Sequence, residues 1–203
     1  MPHATPNMKL PKREFLRQAG AVSSLALLCG ASAVAQTPDT PTPAPALPPE
    51  VGQELAQAQW SGSARMRFFG LSIYDVSLWV APGFSARRFE RQPLVLELRY
   101  LRELSGKDIA QRSLEEMRRQ GDISPAQGQT WLAAMQRAFP DVKAGERITG
   151  LHQPETGARF WHQGRATAQV PDAVFSRLFF GIWLADATSE PKLRSALLAR
   201  AAP

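Results

Sequence analysis

The chain has 203 residues, 24 Lys and Arg against 18 Asp and Glu, and a formal net charge of +6. Half of that excess sits in the first 35 residues, which hold four basic side chains and one acidic, so the remainder carries a mild +3. Such a balance excludes an extended basic nucleic-acid surface. A single cysteine excludes a disulfide framework.

Residues 1–35 read as an export signal. Lys9, Lys12, Arg13 and Arg17 form its basic region, Ala19 to Ala35 its apolar core, and Ala33-Val34-Ala35 its small-residue cleavage site. Cleavage is expected after Ala35, which places the mature protein in the periplasm or outside the cell. The core is too short to span a bilayer and no later stretch is long enough, so no transmembrane segment is expected. Pro11 to Arg17 is similar to a twin-arginine export motif with Lys12 in the first Arg place, and a general secretory signal fits the same residues. Leu28 precedes Cys29 where a lipoprotein signal needs a small residue, so Cys29 leaves with the signal. The mature chain then offers no thiolate for a metal or for catalysis. Residues 36–52, rich in Pro, Thr and Ala, read as an extended tether. Residues 53–203 read as one domain, long enough for one core.

Within that domain the elements follow in legible order. Gln59–Phe69 and Leu71–Val80 are predicted strands meeting near Gly70, and Ala81-Pro82-Gly83 closes the second. Leu94–Leu101 alternates Leu94, Leu96, Leu98 and Tyr100 with a mixed set, again a strand. Ser105 with Asp108 predicts a capping box, and Ile109, Ala110, Leu114 and Met117 form the apolar face of the helix it starts. Ser124-Pro125 starts a second helix with Trp131, Leu132, Met135 and Phe139 on one stripe. Three strands follow, Arg147–His152, Ala158–His162 and Arg165–Val170, joined by turns at Pro154–Gly157 and Gln163-Gly164. Asp172 caps a helix running to Trp183, and Ser189 starts a last one. Strands, helices, strands and helices in that order predict an α+β fold: an antiparallel sheet with helices on one face.

The residues carry few standard signatures. There is no phosphate loop, dinucleotide fingerprint or nucleophile elbow. His152 and His162 lie on neighbouring predicted strands without a carboxylate at ligand spacing and read as sheet-facing or hydrogen-bonded histidines, so neither a metal nor a cofactor is called for. Arg65, Arg67, Tyr74 and Asp75 stand out in the first hairpin. An Arg and a Tyr on adjoining strands can clamp one anionic oxygen pair while apolar walls hold the rest of a ligand. The same residues also fit a solvent face on which Arg and Asp make exposed pairs worth under about 1 kcal/mol.

The motifs resemble the chalcone isomerase-like family, specifically its exported bacterial branch. They are Gly62-Ser63-Ala64-Arg65 with Phe68-Phe69, Ile73 to Trp79, Leu98 to Leu101 before Ser105-Gly106-Lys107, Gly157 to Phe160 with Gln163-Gly164, and Leu178 to Leu184 followed by Ser189 to Leu193. The resemblance implies an open-faced β-sandwich, a large antiparallel sheet carrying a layer of helices with a cleft between them. It also implies one of two activities: cofactor-free closure of a chalcone to a flavanone, or binding of a fatty acid through an Arg and a Tyr. The family Arg falls on Arg65. The isomerase's Thr position falls on or next to Tyr74, and its catalytic Tyr and Asn have no match, so Arg65 with Tyr74 looks like the acid-binding pair. Three readings follow in order: a non-catalytic binder of a small apolar or carboxylate ligand such as a fatty acid, a periplasmic structural or interaction protein, and an isomerase of the intramolecular-lyase type. The protein partner of the second reading is left open.

Overall fold

A computed structural model describes residues 44–202. The signal, its cleavage site, Cys29 and the first eight residues of the tether lie outside the described residues. Six strands form one antiparallel sheet in chain order: β1 Gln59–Phe68, β2 Leu71–Val80, β3 Leu94–Tyr100, β4 Arg147–Gln153, β5 Gly157–His162 and β6 Arg165–Val170. Helices α1 Gly106–Arg118 and α2 Pro125–Ala138 are inserted between β3 and β4, and α3 Ala173–Leu184 and α4 Pro191–Leu197 follow β6. The fold is the expected α+β arrangement, an open antiparallel sheet with a helical layer. Among the described residues no helix is long and apolar enough to cross a membrane.

Strand parity sorts the sheet into two faces, because successive side chains point opposite ways. Val76, Leu78, Leu94, Leu96, Ile148 and Phe160 face the helices and build the main core with Met117, Met135, Phe175 and Phe180. Trp79, Val95, Leu151 and Trp161 face the other way and form a second cluster with Val51 and Leu55. Residues 47–58 therefore act as a strap over the outer face. Val51 is fully buried, and Glu50 bonds Arg147 and Thr149 of β4. The end of the Pro-rich segment, expected to be tether to residue 52, thus belongs to the fold. Composition marks Pro49 as unable to extend a sheet or helix, yet it opens a turn of 3-10 helix that delivers Glu50 and Val51.

Helix ends show where local reading holds and where it does not. Ser124 and Gln127 form a reciprocal capping box on α2, with Pro125 in its first turn. Asp172 accepts from Phe175 N–H at 2.9 Å and from Trp131 Nε1–H at 2.9 Å, so one carboxylate starts α3 and ties it to α2. The box expected at Ser105 and Asp108 does not form: the Ser105 side chain makes no capping bond, and Asp141 instead accepts from Gly106 N–H at 2.8 Å. A partner 35 residues downstream supplies the cap.

His152 is buried in the helix-facing core. Its Nδ1 lies 2.6 Å from Ser176 Oγ, and its Nε2 lies 3.2 Å from the Glu90 carbonyl. Burial lowers its pKa below the ordinary value of 6.5, against the opposing pull of that carbonyl. The unfolded chain therefore takes up a proton near 6.5 that the folded chain refuses, so stability is full above that value and falls as pH drops below it. Urea midpoints should fall from about pH 7.5 to about pH 5.5, and the fall should be smaller in a His152→Gln variant. An equal fall in both proteins would show that His152 is not the group responsible. His162 sits elsewhere, half-buried, with Nε2 3.2 Å from Glu146.

Candidate functional site

The main core does not close completely. Between the β1–β4 end of the sheet and helices α1 and α3 lies a cavity of about 330 Å³. Its walls are apolar, with Leu96, Leu98, Ile148 and Phe160 from the sheet and Phe179 and Ile182 from α3. A register shift in the β1–β2 ladder helps to shape it. Met66 pairs Tyr74 and Arg67 pairs Ser72, so Ile73 is an extra residue. The bulge lets both Ile73 and Tyr74 line the cavity.

The polar groups gather at two places. Inside, Trp183 Nε1–H donates to the Tyr74 hydroxyl at 3.1 Å, and the Tyr74 ring meets Tyr100 edge-on at 5.9 Å. Burial pushes Tyr74 up to about 12, opposed by the Trp183 bond, with Glu190 and Glu116 adding to the rise. Tyr100 is raised further, by burial and then by Tyr74. Both therefore stay neutral hydroxyls at ordinary pH. Because Tyr74 oxygen accepts from Trp183, its own proton is available to a ligand oxygen. At the rim, α1 contributes Asp108, Arg112 and Glu116, and the segment before α4 contributes Ser189 and Glu190. Arg112 pairs Glu116 at 2.6 Å, and Glu116, nearly buried, also lies 3.5 Å from Arg119. Arg112 itself is largely exposed.

The structure does not bring Arg65 and Tyr74 together. Arg65 pairs Asp75 across the ladder, and Tyr74 pairs Met66. Neighbouring positions point to opposite faces, so Tyr74 faces the helices while Arg65 stands on the outer face. There Arg65 makes a two-pronged bond to Asp75, Nε to Oδ1 at 2.6 Å and Nη2 to Oδ2 at 2.8 Å, which raises its pKa. This is the exposed Arg–Asp pair that the residues alone allowed. Arg67 is exposed and has no ion pair among the described residues. The cation that does line the cavity, Arg112, comes from α1, Trp183 comes from α3, and Glu190 comes from the segment before α4. Their sequence signal was slight: Arg112 and Glu116 stand at i,i+4 on a helix side otherwise full of charge.

Of Trp131, Trp161 and Trp183, Trp131 is core and bonded to Asp172, and Trp161 packs on the outer face under Arg159, 5.0 Å from its ring centroid. Trp183 is the one of these three that lines the cavity. The described residues hold no cluster of three or more metal-ligating side chains.

Residues 52–199 match the family model described as chalcone isomerase-like. The chain is 27% identical over 145 residues to an uncharacterized protein of Haemophilus influenzae, covering 70% of each. Its fold is similar to the crystal structure of a fatty-acid binding protein of Arabidopsis thaliana, with a TM-score of 0.55, 11% identity, and coverage of 70% of this chain and 87% of that one. At that identity the likeness speaks for the fold alone. Order of elements, sheet topology and the match over residues 52–199 agree: the chain belongs to the chalcone isomerase-like family.

Proposed function

We propose that this protein is an exported, non-catalytic binder of a small apolar acid of the fatty-acid type. The ligand lies with its tail in the cavity and its head between the Tyr74 hydroxyl and Arg112. The observation that carries this reading is the cavity itself, about 330 Å³ of apolar wall with a neutral donor inside and one cation at the rim. Ligand pockets span roughly 300–1,000 Å³, so the space suits a single slender molecule. The similarity in fold to a fatty-acid binding protein supports the same reading, and the leader read over residues 1–35 supports export. Asp108, Glu116 and Glu190 surround the opening and repel a doubly charged head, which favours a monocarboxylic acid over a phosphate ester. Burial pushes the Tyr74 hydroxyl up to about 12, so it stays protonated and can donate to the ligand's carboxylate.

Displacement of an environment-sensitive dye from the purified protein tests this. A long-chain fatty acid should bind about tenfold or more tightly than the matching alcohol, since a charge-assisted hydrogen bond separates them, and a lysophospholipid should bind more weakly than either. Leu98→Trp, which fills the cavity, should weaken the acid by about tenfold or more. Equal binding of acid and alcohol, or an unchanged affinity in Leu98→Trp, would overturn the reading.

A further inference from the structure

We infer that the β1–β2 hairpin tip is a membrane-docking wedge that inserts Phe69, flanked by Phe68 and Leu71, into an anionic lipid surface. Among the described residues four large apolar side chains are exposed, and three of them occupy this one turn: Phe68 at 52%, Phe69 at 90% and Leu71 at 54%. The turn has positive φ at both central residues, 46° at Phe69 and 79° at Gly70. Asn-Gly or Asp-Gly meets that demand without strain and with a soluble tip. A phenylalanine in the left-handed region, presented to water, makes the turn worse on both counts. Its ring contact is with Phe68, edge-on at 4.5 Å, so no part of the described fold covers its outer surface.

The shape and charge of the tip favour a lipid surface as its occupant. A two-residue turn is convex and has no walls, so it cannot grip a peptide or helix as a groove does, whereas aromatic side chains on a protrusion settle in the interfacial layer of a bilayer. Arg67 directly precedes the aromatic pair and is exposed without an ion pair among the described residues. The neighbouring loop adds Arg102, also exposed and without an ion pair among the described residues, with Glu103 the acid beside it. It is held to the hairpin by the Leu101 N–H bond to the Ile73 carbonyl at 2.9 Å. These cations suit anionic headgroups. Phe68 also lines the cavity, so the exposed tip and the cavity wall are one continuous apolar surface. The inference goes beyond ligand binding and does not depend on it.

Vesicle flotation tests the wedge. The full protein should float with phosphatidylglycerol vesicles, more weakly with phosphatidylcholine vesicles and less as salt rises. A Phe69→Ser/Leu71→Ser variant, altered at two exposed residues outside the cavity, should lose about tenfold or more of its partitioning. Dye displacement by fatty acid in vesicle-free buffer should be unchanged in that variant, which separates a failed wedge from a failed ligand site. In a Phe69→Trp protein, brominated acyl chains should quench the added tryptophan. Failure of the wild type to float, equal flotation of the double variant, no quenching of the tryptophan added by Phe69→Trp, or self-association through the tip in place of vesicle binding would each overturn the inference.

Discussion

Arg147→Met is expected to destabilise the domain by about 3–5 kcal/mol, the usual result of removing one partner from a buried ion pair. Arg147 Nη1 lies 2.7 Å from Glu97 and 3.1 Å from Glu50, and Nη2 donates to Glu50 at 3.1 Å. All three are largely sequestered, with side-chain exposures of 18% for Arg147, 4% for Glu50 and 13% for Glu97. Burial alone would make the guanidinium easier to deprotonate, but the two carboxylates outweigh it and raise its pKa. Without the cation, two carboxylates face each other under the strap with Thr149 Oγ the remaining close donor to Glu50, at 2.8 Å. For a domain of this size the loss corresponds to a fall in Tm on the order of 10 °C. Glu50→Gln combined with Arg147→Met should lose less than the two single changes added together, because the second substitution removes a charge that the first has stranded. A fall in stability below about 1 kcal/mol for Arg147→Met would mean that the network is solvated and contributes little.

Gly157→Ala should be comparably severe, about 4 kcal/mol, for a different reason. Gly157 has φ of 121°, a conformation that L side chains rarely adopt. An added Cβ would also overlap Val170 O and lie 2.7 Å from Asp172 N, both backbone atoms. Asp172 caps α3, and Ser176 of that helix donates to the Gly157 carbonyl at 2.9 Å. The substitution thus pushes on the corner at which β6 passes into the helix that roofs the cavity. Gly70→Ala is the control: its φ of 79° is also positive, but nothing stands within 4 Å of the added Cβ. Its loss should stay near about 1 kcal/mol. Denaturant midpoints for the pair check this, and a Gly157→Ala loss no larger than that of Gly70→Ala would mean that the corner yields.

The sheet was legible because its signals are local. Alternation over Leu94–Tyr100 and the turns at Gly70 and Gln163-Gly164 bound strands by parity and by backbone conformation, and Phe69, Gln163 and Gly164 all have positive φ as hairpin turns of this kind require. What escaped the sequence depends on distant partners. Asp141 rather than Asp108 caps α1. Glu50 finds its cation across 97 residues, so a proline-rich composition concealed its place in the fold. The candidate site failed by one residue of register: placing Arg65 opposite Asp75 forces Tyr74 to the other face, and that pairing follows from a bulge at Ile73 that composition does not announce. Arg112 was hidden by its surroundings, since a charged residue on a charged helix side reads as solvated until α3 and the segment before α4 are seen beside it.

The strap over the outer face has a kinetic consequence. The β1–β2, β4–β5 and β5–β6 hairpins can each zip from their own turns with little loop to close, whereas β3 meets β4 only across the inserted α1 and α2. Residues 47–58 come first in the described fold, yet they have no docking site until β4 and β5 have brought Arg147, Leu151 and Trp161 into place. The earliest part of the domain to be made is therefore among the last to settle. For the same reason it is a natural place for the folded molecule to begin to open, exposing the outer sheet face while the cavity on the opposite side remains intact.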